Sequence, residues 1–247
     1  MLRAEFPTVV RARSATYGIQ FGEIERATHR NTSWEEARFE VPGRRWMDLS
    51  QPGTGLAILD DGIVGRNARD GVLGLSLLRS PNFPDPECDR GEHRLRYSLM
   101  PHAGDRRTAG DAGVDAEAEA FAEPLVVRRL QAREASAGGE MEIRPIRIDV
   151  DGAAKVEIAA FKPAEDGDGA VLRLVEKHGG TGMARIRLTG WHQPRRVDLL
   201  ERPLDFESEL VIAPDGALEL PLRPFGIESI RLRRRPDQDL QPRSSLP

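Results

Sequence analysis

Apolar residues alternate with polar or small residues along several short stretches of this chain, and that two-residue period is the feature that most restricts its fold. Leu73, Leu75 and Leu77 alternate with glycine and serine. Successive side chains of a strand point to opposite faces of a sheet, so this period is typical of strands buried on one face. The same pattern recurs at Leu95/Tyr97/Leu99, Ile146/Ile148/Val150, Val156/Ile158/Ala160, Ala184/Ile186/Leu188, Leu218/Leu220/Leu222 and Ile230/Leu232. With turn clusters between the strands, the pattern predicts an all-β, sandwich-like chain.

One stretch departs from the strand pattern. Residues Ala112 to Ala122 are rich in alanine and glutamate, and Pro124 follows them. This composition predicts one short helix that connects the strands and builds no core.

The sequence also indicates a domain boundary. A small, polar run from Gln131 to Glu140 suits a linker or a long hairpin, and we place the boundary near Gly139. The last residues lack periodicity and predict a solvated tail. The expected domains are 1–138 and 139–235, with the tail at 236–247.

Composition restricts the partners and the compartment. The formal net charge of -4 supplies no general attraction for nucleic acid or for anionic lipid. Cys88 is the single cysteine, which excludes an internal disulfide framework and favours a reducing compartment. No apolar leader and no long apolar run is present. We therefore expect a cytoplasmic protein that binds neither nucleic acid nor membrane.

The residue types that bind metals do not form a recognisable motif. The five histidines lack paired ligand spacing, and His102 has no evident partner for general-base chemistry. The segment Asp166–Gly169 resembles the start of a calcium loop but lacks the distal glutamate, so it is predicted to be a hairpin turn. No metal ligand and no catalytic residue is predicted in this chain.

Two long stretches carry a family resemblance. From Tyr17 the chain reads YGIQFGEIERATHRNTSWEEARFEVPGRRWMDLS, and from Leu75 it reads LSLLRSPNFPDPECDRGEHRLRYSLMPH. Both resemble the C-terminal β region of glycoside hydrolase family 38, the α-mannosidases. FAEPL from Phe121 and FKPAEDGDGAVLRLVE from Phe161 are similar to the family's final sandwich. The resemblance implies part of a large, supersandwich-like antiparallel β-sandwich, followed by a smaller C-terminal β-sandwich.

The same resemblance implies a function. Family 38 enzymes hydrolyse terminal α-mannosides with retention, at a zinc site in an N-terminal catalytic domain that we expect this chain to lack. Retaining hydrolysis needs two carboxylates about 5–5.5 Å apart, so the chain alone is expected to be inactive and to hold no cofactor. Its expected partners are the family 38 catalytic domain, in cis or in trans, and an α-mannoside. The alternative is a free-standing, non-catalytic module for carbohydrate binding or assembly.

The loop from Pro84 to His93 is the first candidate site. It concentrates charges between two apolar stretches, and functional residues favour loops on rigid scaffolds. In the resembled family this region approaches the catalytic cleft, and some members place an arginine there. The candidates for substrate or cleft contacts are Arg79, Asp89, Arg90 and His93. The alternative is a purely structural role, in which salt bridges between the charged residues of the loop order the loop itself.

A second candidate lies in ERATHRNTSW. His29, Asn31 and Trp34 combine imidazole, amide and indole groups, which suit a sugar-facing or interdomain surface. The alternative is a turn-rich connection in which Asn, Ser and Thr satisfy the backbone and Trp34 packs inside.

Overall fold

Two units of β-structure make up the described part of the chain. In this computed structural model the described residues are 1–110, 113–123, 125–127, 146–188, 190–204 and 210–234. The units are Met1–Arg129 and Leu130–Pro247. The predicted boundary near Gly139, the whole polar run from Gln131 to Glu140 and the tail at 236–247 lie outside the described residues.

The N-terminal unit contains two antiparallel sheets. Its strands are β1 Leu2–Pro7, β2 Ser14–Ile19, β3 Gly22–Ala27, β4 Val41–Pro42, β5 Trp46–Gln51, β6 Thr54–Asp60, β7 Gly65–Arg69, β8 Val72–Leu78 and β9 Tyr97–His102, and its helices are α1 Ser33–Glu36 and α2 Val114–Ala122. One sheet has the order β1-β8-β7-β4 and the other β3-β2-β5-β6-β9. Their facing side chains form one core, which includes Leu73 and Leu75 from β8 and Met47 and Ile58 from the second sheet. The predicted alternation of β8 is thus confirmed.

The outer face of the second sheet carries a second core. Trp46, Ala57 and Leu59 pack there against Val114 and Ala118 of α2. The helix therefore forms close to its predicted place, but the expectation that it builds no core was wrong. Its alanines allow close approach to the sheet, and Val114 is 1% exposed.

The predicted half-buried strand around Leu95, Tyr97 and Leu99 is only partly covered. Strand β9 begins at Tyr97. Leu99 pairs with Ile58, so the Leu99 and Ile58 side chains lie on the same face of their sheet, which is directed at the other sheet. Tyr97, two residues before Leu99, lies on that face as well. Tyr97 and Leu99 are nevertheless 39% and 44% exposed. The reason is that β9 and β1 are both edge strands: the ring of Phe6 in β1 meets Tyr97 edge-on at 5.7 Å, and no strand of the described chain lies beyond them.

A buried ion pair fixes the loop between β6 and β7. The Arg66 Nη2 lies 2.7 Å from the Asp60 Oδ2 and also donates to the Ile63 carbonyl at 2.7 Å. The second carboxylate oxygen of Asp60 accepts from the backbone N–H groups of Gly62 and Ile63. Both charged side chains are fully buried. The pair therefore satisfies backbone donors that the tight loop would leave without partners.

The C-terminal unit is a β-sandwich of two four-stranded antiparallel sheets. Its strands are β10 Arg147–Gly152, β11 Val156–Pro163, β12 Ala170–Glu176, β13 Gly182–Arg187, β14 Trp191–Val197, β15 Val211–Ile212, β16 Leu218–Leu222 and β17 Ile227–Arg234. The sheet orders are β10-β13-β16-β15 and β11-β12-β17-β14. Leu172, Ile186, Leu220 and Ile230 lie in the core between them. The all-β prediction, with a smaller C-terminal sandwich, is confirmed.

The segment Asp166–Gly169 is a hairpin turn between β11 and β12, as predicted. Its acidic groups face arginines: Arg231 Nη2 donates to both Asp166 carboxylate oxygens at 2.5 and 2.6 Å, and Arg233 Nη2 donates to Asp168 at 2.7 Å. These bonds hold the pKa of the Asp166 carboxyl below its ordinary value. The turn is thus stabilised by guanidinium groups from β17.

Candidate functional site

The loop between β8 and β9 is held by its own polar contacts. Ser80 N donates to Asp89 Oδ2 at 2.6 Å, and the His93 ring contacts the Asp89 carbonyl at 2.9 Å. Arg90 Nη1 lies 2.5 Å from Glu87 Oε2, and the Arg90 side chain is 74% exposed. Asp89 therefore fixes the loop from inside, while Arg90 is exposed to solvent and, among the described residues, pairs only with the Glu87 carboxylate.

The structure separates the four loop candidates into two groups. Arg79 and Asp89 line one open cavity of about 330 Å³, together with Leu78, Leu95 and Met1. Arg90 and His93 are not part of that lining. The Arg79 guanidinium forms no hydrogen bond or ion pair with any residue in the described part of the chain, so it is free to bind a group that enters the cavity.

The second candidate segment contains a helix that the sequence reasoning did not predict. Thr32 accepts a hydrogen bond from Glu35 N at 3.2 Å, and the Glu35 carboxylate accepts from Thr32 N at 3.1 Å. This reciprocal pair is a capping box, and its Thr-x-x-Glu spacing in the sequence is the signal that could have found α1. Glu35 Oε2 also accepts from Asn31 N at 2.8 Å and contacts His29 Nδ1 at 3.2 Å. His29 and Asn31 are thus brought together around Glu35.

Trp34 does not pack inside its unit, which contradicts one part of the alternative interpretation. It is 81% exposed, because α1 has no buried face. Phe39, five residues later, is 69% exposed. The polar residues do satisfy the backbone, as that interpretation expected, but the indole ring is left on the surface.

A buried network that the sequence reasoning missed involves His102. His102 Nε2 lies 2.8 Å from Asp48 Oδ2, both side chains are 3% exposed, and Ser50 Oγ donates to the other oxygen of Asp48. The sheet explains the meeting: Gly55 of β6 pairs with both Ser50 and His102, and its lack of a side chain leaves room for the imidazole. Sequence reasoning found no general-base partner for His102 and did not predict this buried contact with a carboxylate. No spacing along the chain could show it, since 54 residues separate the two groups.

The described residues offer no metal site. Within the described ranges, no group of three or more His, Cys, Asp or Glu side chains is placed to hold a metal ion. The zinc implied by the family resemblance therefore has no ligand set in this part of the chain. Neither helix among the residues that the structure describes is long and apolar enough to cross a membrane.

Comparison with known families gives two matches. Residues 1–87 match the family described as "Glycosyl hydrolases family 38 C-terminal domain". Residues 155–230 match "Glycosyl hydrolases family 38 C-terminal beta sandwich domain". Each match falls within one of the two units.

Curated relatives and solved structures agree with these matches. Human "Alpha-mannosidase 2C1" is 40% identical over 237 residues, which are 95% of this chain and 22% of the relative. "Alpha-mannosidase G" of Dictyostelium discoideum is 41% identical over 180 residues, 73% of this chain and 16% of the relative. A solved family 38 protein from Enterococcus faecalis has a TM-score of 0.65 at 18% identity, over 93% of this chain and 26% of that one, and therefore shares the fold. The chain thus spans about a fifth of the length of the curated relatives it matches.

Proposed function

Because this chain belongs to the C-terminal region of glycoside hydrolase family 38, we propose that it is the C-terminal part of an α-mannosidase, where it supports the catalytic domain. The relatives named above are α-mannosidases and are about five times longer than the matched region. In this proposal a catalytic domain outside the chain hydrolyses terminal α-mannosides, with retention and with its own zinc. The chain alone is inactive.

The open edge formed by β1 and β9 is the observation that carries this proposal. We name it the β1/β9 edge: Leu2, Leu95, Tyr97 and Leu99, which are 55%, 39%, 39% and 44% exposed. Each strand pairs on one side only within the described chain, so the other row of backbone donors and acceptors is available. Unpaired edge strands beside exposed apolar side chains favour association with another polypeptide. The expected occupant is the catalytic part of the enzyme, since the matched relatives continue far beyond this region.

The β8–β9 loop extends the proposal to the substrate cleft. The loop begins and ends in strands of the two packed sheets, which fix both of its ends, and Arg90 lies exposed within it. An exposed guanidinium can donate to sugar hydroxyls or to a carboxylate across an interface. Arg79 and Asp89 line the neighbouring cavity and form the second candidate contact.

A replacement experiment tests the proposed function. This chain is placed in human alpha-mannosidase 2C1 instead of the matching 237 residues, and hydrolysis of an aryl α-mannoside is measured. The exchanged enzyme should be active, while the enzyme lacking the region and the purified chain alone should both be inactive. Hydrolysis by the purified chain, abolished by a chelator, would contradict the assignment. A folded but inactive exchanged enzyme, with a purified chain that binds mannosides unaided, would favour a free-standing carbohydrate-binding module.

A further inference from the structure

A narrow cleft between the two sheets of the N-terminal unit, on the side of β3 and β4, is lined mainly by cationic side chains. Its charged lining consists of four arginines, one glutamate and one histidine: Arg26, Arg30, Arg38, Arg69, Glu35 and His29. Its volume is about 20 Å³, enough for one or two water-sized groups and too small for a sugar ring. The chain as a whole carries a net charge of -4, so this concentration of positive charge is a local feature.

Two of the arginines lack a compensating partner among the described residues. Arg30 pairs with Asp70 at 2.7 Å, and Arg69 donates to the carbonyls of Glu36 and Arg38 at 2.8 and 2.5 Å. The Arg26 and Arg38 guanidinium groups, by contrast, form no hydrogen bond or ion pair within the described ranges. The cleft therefore contains guanidinium donors without acceptors.

An unpaired guanidinium is less expected at Arg26 than at Arg38, because Arg26 is half-buried and Arg38 is exposed. Its guanidinium stacks over the Tyr17 ring at 4.8 Å from the ring centroid, and its Nη1 is buried without a hydrogen-bond partner in the described part of the chain. Burial lowers the pKa of Arg26 below its ordinary value; Tyr17 counteracts this shift, and the charge of Arg38 adds to it. A buried donor without an acceptor is costly, and such a group commonly marks an ion or a water.

We propose that Arg26 and Arg38 form a receptor for a small oxyanion, either a phosphate or a carboxylate. Two planar guanidinium groups that line a cleft of this size match one or two oxygens of a single head group. A bound anion would supply the missing acceptors and would reduce the repulsion between the two arginines. Glu35 forms no hydrogen bond or ion pair with either arginine in the described part of the chain; its Oε2 serves the cap of α1 and His29. The receptor is a property of this chain, independent of the proposed mannosidase role.

Titration of the purified 247-residue chain with inorganic phosphate, and separately with acetate, tests the proposal. Heat of binding is measured by calorimetry at constant ionic strength. Saturable binding of phosphate or of acetate is expected, and the better ligand distinguishes the phosphate source from the carboxylate source. Arg38→Gln, at an exposed position, should weaken binding at least about tenfold, and Arg26→Gln should have a similar effect. Arg94→Gln is the matched control, since Arg94 is 87% exposed, lies in the same unit and is absent from the cleft lining. It should leave binding unchanged.

Two results would overturn the proposal. One is the absence of saturable binding of either anion, which would mean that the cleft holds water only. The other is saturable binding that Arg38→Gln does not weaken. Because Arg26 packs on a buried ring, its substitution can disturb the fold, whereas the exposed Arg38 gives a result that does not depend on that outcome.

Discussion

One carboxylate in the C-terminal unit holds three turns together, and its replacement provides a sharp test of the packing described above. Glu176, at the end of β12, is 1% exposed. Its Oε1 accepts from Lys155 N and His178 N at 3.1 and 3.0 Å, and its Oε2 accepts from Gly179 N and Phe225 N at 2.7 and 2.9 Å. The donors belong to the turns after β10, β12 and β16. A single side chain thus fixes the same end of both sheets of this unit.

The magnitude follows from the number of bonds that Glu176→Gln removes. The amide keeps one acceptor oxygen and places an NH₂ group against two backbone donors, so two of the four bonds are lost. Leaving a buried donor unsatisfied costs about 1–3 kcal/mol, so the expected total for two donors is about 2–6 kcal/mol. Glu219→Gln is the control: Glu219 is 31% exposed and lies 3.6 Å from Arg185. Its loss should cost less than about 1 kcal/mol.

Native-state hydrogen exchange of the β12 and β17 amides measures this cost, because it reports the opening of the C-terminal unit separately from the N-terminal unit. A loss below about 1 kcal/mol in Glu176→Gln, or a loss equal to that of the control, would refute the reasoning.

The same carboxylate predicts a pH dependence. Burial alone raises the pKa of Glu176, but the backbone donors, Phe225 N first among them, outweigh burial and hold the pKa below the ordinary value of 4.5. A lowered pKa in the folded state contributes stability that is complete above the unfolded pKa and is lost as the pH falls through the folded pKa. The stability difference between the unaltered chain and Glu176→Gln should therefore stay constant from pH 7 to about 5.5 and shrink below about 4.5. A difference that does not change down to pH 3 would contradict the assigned bonds.

Three further predictions concern the N-terminal unit. Asp60→Asn leaves the buried Arg66 charge without its carboxylate and should cost about 3–5 kcal/mol, measured by exchange of the β6 amides; a cost below about 1 kcal/mol would argue against a charged pair. Thr32→Ala removes half of the capping box and should weaken α1 by about 1 kcal/mol, seen as faster exchange at Glu35 N; unchanged exchange would contradict the cap. Arg90→Ala should change stability by no more than about 0.5 kcal/mol, yet lower kcat/KM of the exchanged mannosidase roughly 10- to 150-fold. Unaltered kinetics would leave Arg90 with only its contact to Glu87.

Strands β8 and β16 were predictable from the chain because their alternating leucines face a core. Leu73, Leu75, Leu218 and Leu220 are all at most 2% exposed. The exposure of Tyr97 and Leu99 was not predictable, because it depends on where the opposite sheet ends and not on the residues themselves. For α2, composition indicated the helix, but its packing on Trp46 depends on which sheet face is left uncovered.

The candidate site, too, was predictable from the sequence only in part. The loop candidates lie on a loop, as the charge-rich sequence indicated, and the turn chemistry of Thr32 and Glu35 was present in the sequence as a local signal. The contacts between His102 and Asp48, and the cleft shared by Arg26 and Arg38, arise from strand register and from the packing of two sheets. His102 and Asp48 come from strands separated by 54 residues, and Arg38, in the connection between α1 and β4, reaches the same cleft as Arg26 of β3 only through the packing of the unit. Local spacing carries no information about such contacts.

The central claim is that the β1/β9 edge is the surface on which the catalytic part of the enzyme docks, and a single charge tests it most directly. In the exchanged human mannosidase, Leu99→Glu places a carboxylate on the edge, while Leu200→Glu makes the same change at a residue of the C-terminal unit that is 71% exposed. The measurement is α-mannosidase activity per folded enzyme. We predict that Leu99→Glu lowers activity at least about tenfold, because burying an unpaired charge at an interface is costly, and that Leu200→Glu leaves it unchanged. Equal activity in both variants, with the isolated chains unfolding at the same temperature, would contradict the claim.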